Sequence, residues 1–261
     1  MSEKIRSLLF VPAVKHKLMK IDSMKADAFV IDLEDSVKPE KKDDALMEVI
    51  RFLDGRSEND TKIFVRLNHE RIEKESKDLA SVSDRITGYM VPKAEAAEDF
   101  TCFKNNTMQI IALIETARGM IRIGEIAACS QVSALAFGGE DYCADTGMTD
   151  REELLLPVKS RVVQYASAFG KPCYDTISRE LKLTDKLRES VLRSADLGFD
   201  GKLAIHPAQI ELIDQMFSAH DPEGMRAIIE AFEESQEGVI VIDGVVYEQP
   251  HIERMKKELK L

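Results

Sequence analysis

The chain predicts an α/β fold, a closed (β/α)8 TIM barrel carrying a C-terminal helical and hairpin extension. Short apolar runs recur along it, helical stretches separate them, and nearly every run ends on a carboxylate, an arginine, a lysine or a histidine. Barrels of this kind place their chemistry at the C-terminal ends of the strands. A length of 261 residues fits one such barrel, typically about 250 residues.

The strand-like runs are residues 7–13 (SLLFVPA), 28–35 (AFVIDLED), 62–68 (KIFVRLN), 88–93 (GYMVPK), 109–116 (QIIALIET), 134–141 (ALAFGGED), 171–177 (KPCYDTI) and 202–207 (KLAIHP). Their apolar stretches are continuous rather than alternating, as in strands buried on both faces. The segments between them keep helical spacing. Lys38-Pro39-Glu40 opens a helix to residue 53 that Asp54-Gly55 ends. Residues 116–128, 154–169 and 183–197 repeat the pattern, and Gly170 and Gly198 are the expected stops of the last two. Strand and helix in alternation imply right-handed βαβ units around a parallel sheet. The barrel core is expected over residues 1–207. Residues 208–261 form an extension of the same domain, with helices over 208–217 and 222–235. A hairpin follows over 238–248, turning at Asp243-Gly244, and a basic helix closes the chain over 251–261.

Composition bounds the partners. A hydrophobic fraction of 44% and a charged fraction of 32% describe a globular chain with a substantial core. A net charge of −11 argues against nucleic acid or an anionic membrane as partner, so an anionic ligand needs a local cation or a bound metal. Cys102, Cys129, Cys143 and Cys173 form no CxxC pair and read as free thiols in a reducing compartment. The N-terminal apolar run, about seven residues, is far below a membrane span, and the cytoplasm is the expected location.

The strand ends gather Asp32, Glu34, Asp35, Arg66, Lys93, Glu115, Glu140, Asp141, Asp175 and His206 on one rim. Glu115 and Asp141 end neighbouring runs. They read either as hard oxygen ligands for Mg²⁺ or as first-turn acids of the next helices. Asp32 and Glu34 share a face and read as bracing a nearby cation, while Asp35, which starts the loop, or Ser36 equally reads as a helix cap. Arg66 suits bidentate carboxylate binding or a developing oxyanion, and equally suits an ion pair with Asp32 or Glu34. A Schiff-base role for Lys93 fits an acidic rim less well than a salt bridge does. His206, beside a proline, reads as structural, and the other histidines lack metal-ligand spacing. No HExxH, Walker A loop or GxGxxG occurs.

With these ends laid out, the sequence resembles the citrate lyase β-subunit-like branch of the HpcH/HpaI aldolase superfamily. The matching blocks are RSLLFVPA (6–13), DAFVIDLEDSV (27–37), VRLN (65–68), VPKAE (91–95), ALIETARG (112–119), AFGGEDYCAD (136–145) and LGFDGKLAIHPAQI (197–210), in family order. The resemblance implies a Mg²⁺-dependent carbon–carbon lyase acting on a 3-hydroxy-carboxyacyl thioester, like citryl-, citramalyl- or malyl-CoA. Its products would be an acyl thioester and a keto acid.

By position, Glu115 and Asp141 match the metal ligands and Arg66 the substrate-binding arginine. Arg6, Lys17 and Glu34 join Arg66 as expected substrate contacts. The carrier, coenzyme A or acyl carrier protein, would lie by the FVPA turn, and the assembly would be a homotrimer or homohexamer. Ala13 stands where the family commonly has Gly, YDTI (174–177) replaces an Asp-Gly-Pro turn, and Glu248 replaces an Asp thought to act in a neighbouring subunit's site. Two rival readings are a CoA-independent 2-keto-4-hydroxy acid aldolase and a non-catalytic subunit binding a metabolite or carrier. Retention of Glu115, Asp141 and Arg66 argues against the latter.

Overall fold

In a computed structural model, which describes residues 4–56, 61–104, 107–218, 222–235, 238–242, 245–259 and 261, every apolar run contains a strand. These are β1 (Ser7–Pro12), β2 (Ala28–Asp32), β3 (Lys62–Arg66), β4 (Gly88–Val91), β5 (Gln109–Ile114), β6 (Ala134–Phe137), β7 (Cys173–Asp175) and β8 (Gly201–Ala204). Each pairs in parallel with the next, and β8 returns to β1 through Ser7 opposite Lys202. The sheet is therefore closed, as expected. Each strand stops before its run does: Asp32, Arg66 and Asp175 are the last residues of their strands, Lys93, Glu115 and His206 follow just beyond the sheet, and Asp141 lies in a helix.

Around the barrel lie α1 (Lys15–Leu18), α2 (Lys42–Asp54), α3 (Ile72–Asp78), α4 (Ala117–Ile121), α5 (Ile123–Ala128), α6 (Gly139–Thr146), α7 (Glu152–Ala168), α8 (Asp185–Leu197) and α9 (Ile210–Ser218). The helix expected over 116–128 is broken at Arg122 into α4 and α5. Gly198 closes α8 at φ +96, and Gly170, just past α7, has φ +64, a region where a side chain clashes with the backbone. The helix α6 was expected only in the alternative reading, in which Asp141 is a first-turn acid of the next helix, because the sixth run was otherwise read as strand through Asp141. The Gly138-Gly139 pair ends that strand early.

Side-chain parity splits the core in two. Leu8, Val30, Phe64, Met90, Ile111, Leu113, Ala136, Tyr174 and Leu203 fill the barrel interior. Their neighbours Leu9, Ile31, Ile63, Val65, Val91, Ala112 and Phe137 pack outward against the helices. Both sets are almost fully buried, which is why the strands read as unbroken apolar runs.

Two compact units divide at Phe217, ten residues beyond the expected barrel limit at 207. The reason is α9, whose Ile210, Leu212, Ile213 and Phe217 belong to the barrel's outer core. The second unit, Ser218–Leu261, holds α10 (Pro222–Glu234), the antiparallel pair β9 (Val239–Ile242) and β10 (Val245–Glu248), and α11 (Gln249–Leu259). Its own small core contains Ile229, Phe232, Ile252 and Met255. The expected Asp243-Gly244 turn lies outside the described residues.

Candidate active site

Parallel register brings the ends of β1, β2 and β3 side by side, with Pro12 opposite Asp32 and Asp32 opposite Arg66. Arg66 is thereby seated among acids. Its Nε donates to Asp32 Oδ1 at 2.8 Å, and its Nη atoms lie 3.2 Å from Glu34 Oε2 and 3.0 Å from Asp35 Oδ2. The guanidinium carbon stands 5.0 Å from the centroid of the Phe10 ring, a cation–π contact. Burial works against the charge of Arg66, but Asp32 first, then Glu34 and Asp35, more than offset that. Burial likewise opposes ionisation of Asp32, yet Arg66 and the N–H groups of Glu34 and Ser36 keep its carboxyl below the usual range.

Glu115 follows β5 and is only 1% exposed. Its Oε1 accepts the backbone N–H of Lys93 at 2.8 Å. Burial, then the charges of Glu34 and Asp141, push its carboxyl well above the ordinary value despite Arg66. Lys93 is held at φ +47, unusual for a side-chain-bearing residue, and that backbone aims its N–H at Glu115. Its ammonium lies 3.3 Å from Glu34 Oε1. Glu34 Oε2 is buried without a hydrogen-bond partner, and burial raises that carboxyl too, against the pull of Arg66.

A cavity of about 370 Å³ opens over this rim. Asp32, Asp35, Arg66, Glu115, Glu140 and Asp141 line it, facing an apolar wall of Phe10, Leu113, Ile177, Leu203 and Ile205. Glu140 is paired with Arg179, 3.0 Å from its Nε. Asp141 sits in the first turn of α6, so the first-turn position and a place on the cavity are both realised.

The donor set can be tested against Mg²⁺. Among the described residues no three His, Cys, Asp or Glu side chains converge into a closed cage. Two carboxylates with open space beside them suit a hard ion that keeps several waters and takes substrate oxygens. The buried, under-compensated charge of Glu115 suits a cation as well. The residues fit the ion.

Not every expected residue meets there. Arg6 precedes β1 and so stands at the opposite, N-terminal end of the barrel. Its guanidinium grips Asp27, Nε to Oδ2 at 2.9 Å and Nη2 to Oδ1 at 3.0 Å, which corrects the expectation that it binds substrate. Glu34 does not line the cavity either; it braces Arg66 and Lys93. Lys17 is exposed on α1, past the C-terminal end of β1. Glu248 ends β10 in the second unit and is exposed.

Asp175 leaves the rim altogether. Tyr174 fills the barrel interior, so Asp175 points outward, where Lys159, Lys202 and Ser194 all bond its Oδ2 at 3.1, 2.8 and 2.5 Å. His206 takes no place on the cavity; its Nδ1 accepts the Ala208 N–H at 3.2 Å. The sequence reading missed Thr176, Gly138, Gly139 and the apolar wall. Parity on β7, set by Tyr174, was the available signal for Thr176.

A family model described as HpcH/HpaI aldolase/citrate lyase matches residues 6–207. The human mitochondrial citramalyl-CoA lyase is 28% identical over 98% of this chain and 85% of its own length. A (3S)-malyl-CoA thioesterase of Cereibacter sphaeroides is 31% identical over 97% of this chain and 93% of its own. Among solved structures, the CitE protein of Mycobacterium tuberculosis in complex with magnesium, acetoacetate and coenzyme A superposes with a TM-score of 0.84 at 26% identity, covering 100% of this chain and 98% of that one. The chain belongs to the HpcH/HpaI aldolase/citrate lyase family.

Proposed function

We propose that this member of the HpcH/HpaI aldolase/citrate lyase family is a Mg²⁺-dependent carbon–carbon lyase that cleaves a 3-hydroxy-carboxyacyl CoA thioester into an acyl-CoA and a 2-keto acid. The observation that carries the reading is the charge imbalance of the cavity. Glu115 and Asp141 stand together on it, while Arg66 and Lys93 are already engaged by Asp32, Glu34 and Asp35.

Glu115 and Asp141 would hold the ion, which supplies Lewis acidity to the carboxylate and hydroxyl oxygens of the substrate. The chain's own groups divide the remaining work. The hydroxyl gives up its proton to bulk water and becomes the keto carbonyl as the C–C bond breaks, and the electron pair of that bond passes to the thioester fragment. Arg66, fixed beforehand by its acids, stabilises the enolate charge that develops there. Glu248 of a neighbouring copy in a homotrimer or homohexamer would deliver a proton to the α-carbon, completing the acyl-CoA. The wall of Phe10, Ile177 and Ile205 encloses the acyl chain and keeps water from the enolate. Exposed Lys15, Lys17 and Lys20, past β1, offer cations to the phosphates of the carrier. The four unbridged cysteines support a reducing compartment such as the cytoplasm.

The apolar wall has a consequence for substrate choice. With Arg66 turned to the thioester fragment, a second free carboxylate on the keto-acid half finds no other cation among the described lining residues, which favours citramalyl- and malyl-type esters over citryl. A second reading, thioester hydrolysis, rests on the malyl-CoA thioesterase relative.

One assay separates the two. The protein is incubated with citramalyl-CoA or malyl-CoA and Mg²⁺, and both keto acid and free thiol are followed. Keto acid without thiol, abolished by EDTA, is expected. Thiol release without keto acid would replace lyase by thioesterase chemistry. Equal turnover with and without EDTA would remove the metal from the account.

A further inference from the structure

The turn that delivers Asp141 to the cavity is built from Gly138 and Gly139, and it is held from two sides. The Gly138 N–H donates to the Ile114 carbonyl at the end of β5, at 3.0 Å. The Gly139 N–H, one of the unpaired donors at the start of α6, donates to Thr176 Oγ1 at 2.9 Å. The fit leaves no slack. A methyl group on Gly138 would meet Glu115 Oε2 at 2.4 Å, and one on Gly139 would stand 3.0 Å from Thr176 Oγ1. The pair is thus clamped between the carboxylate of Glu115 and the hydroxyl of Thr176. Asp141 follows two residues later.

Thr176 is itself anchored. It is 9% exposed and directly follows Asp175, whose carboxylate is fixed by Lys159, Lys202 and Ser194. Those partners come from α7, β8 and α8, so the end of β7 is pinned to the helix layer. An unbroken path runs from that anchor through the Thr176 hydroxyl to Gly139 and on to Asp141. On the other side, Glu115 is fixed by the Lys93 N–H.

We propose that Thr176 is a positioning residue for the metal pair, its hydroxyl setting the distance of Asp141 from Glu115 by holding the Gly139 N–H. This rests on the metal reading given above for Glu115 and Asp141. The hydroxyl is the operative group. Valine has the same shape but cannot accept the N–H, leaving a buried donor unpaired, whereas serine can. The contribution expected is that of a group behind a metal ligand, whose loss lowers metal affinity about 10- to 100-fold.

The test titrates the full chain, without substrate, with Mn²⁺ by calorimetry, alongside amide hydrogen exchange over residues 138–146 and thermal melting. Thr176→Val is expected to weaken Mn²⁺ binding at least tenfold and to speed exchange at Gly139. Thr176→Ser should restore both, although it lacks the methyl group. Gly139→Ala, which presses on an intact hydroxyl, should weaken binding a few-fold and serves if the valine variant does not fold. Unchanged affinity and exchange in Thr176→Val, or a serine variant as impaired as the valine one, overturns the proposal. Wild-type protein that takes up no Mn²⁺ would instead sink the metal reading. The exchange data then decide the clamp alone, with unchanged exchange at Gly139 refuting it.

Discussion

Two clusters of charged side chains sit on either side of the same sheet, and they are built on opposite principles. Behind β7 and β8, the carboxylates of Asp175 and Glu152 meet the ammonium groups of Lys159 and Lys202, with Ser194 added. Positive and negative charges match there, and Asp175, Lys159 and Lys202 are at most 1% exposed. Burial opposes ionisation of Asp175, but Lys202 and Lys159 overcome it and hold its carboxyl at about 2. On the cavity side, Asp32, Glu34, Asp35, Glu115 and Asp141 face Arg66 and Lys93 among the described residues, and negative charge is left over. A balanced buried cluster fixes architecture, whereas an unbalanced one that opens to a cavity invites a cation.

Substitutions should therefore act with opposite signs in the two places. Glu115→Gln is the sharpest case. It should lower turnover on the order of 10³-fold and abolish the Mg²⁺ binding heat. At the same time it should raise the melting temperature, because it relieves a carboxylate that burial disfavours. A Glu115→Gln protein that melts lower than wild type would show that the rim is balanced after all.

Asp175→Asn should do the reverse. Removing the acid between two buried ammonium groups is expected to cost about 3–5 kcal/mol in urea unfolding. Arg66→Lys keeps the charge but loses the fork that spans Asp32, Glu34 and Asp35. Its kcat/KM should fall about 100-fold, with a change in stability small beside that of Asp175→Asn; the two losses coming out alike would blur the distinction. The smallest effect is the acid limb. The carboxyl of Asp175 is lower in the folded protein than in the unfolded chain, so its stabilisation is complete above the ordinary value of 3.8 and is lost as pH falls toward about 2. That loss amounts to roughly 2 kcal/mol, and the slope of stability against pH between 4 and 2 should flatten in Asp175→Asn.

The same contrast explains what the sequence made legible. Strands buried on both faces announced themselves as continuous apolar runs, and parallel register then made neighbours of Asp32 and Arg66. Glu115 and Arg66 were readable because they follow such runs directly. Asp175 follows one too, yet it belongs to the balanced cluster, because one step of parity decides between barrel interior and helix layer. Arg6 precedes its run and lies at the other end of the barrel, a distinction of strand direction that the family match did not carry. The α6 turn was hidden for a different reason. Gly138-Gly139 carries no periodicity, and its place depends on contacts with Glu115 and Thr176, which follow the flanking strands β5 and β7 and lie far from it in sequence. The turns over Leu79–Arg85 and Ala97–Phe103 are 3-10 segments, too irregular for a helical period to reveal.

The left-handed backbone at Lys93 has a consequence for anyone redesigning this chain. A lysine in that conformation is less favourable than a glycine by roughly 1–2 kcal/mol. Selection for folding alone would therefore replace it. Glycine would keep the N–H that Glu115 accepts but would remove the ammonium that answers Glu34. Position 93 is thus a place where robustness and work pull in different directions. A thermostabilised descendant that adopts glycine there should be tested for activity before its gain in stability is counted as progress.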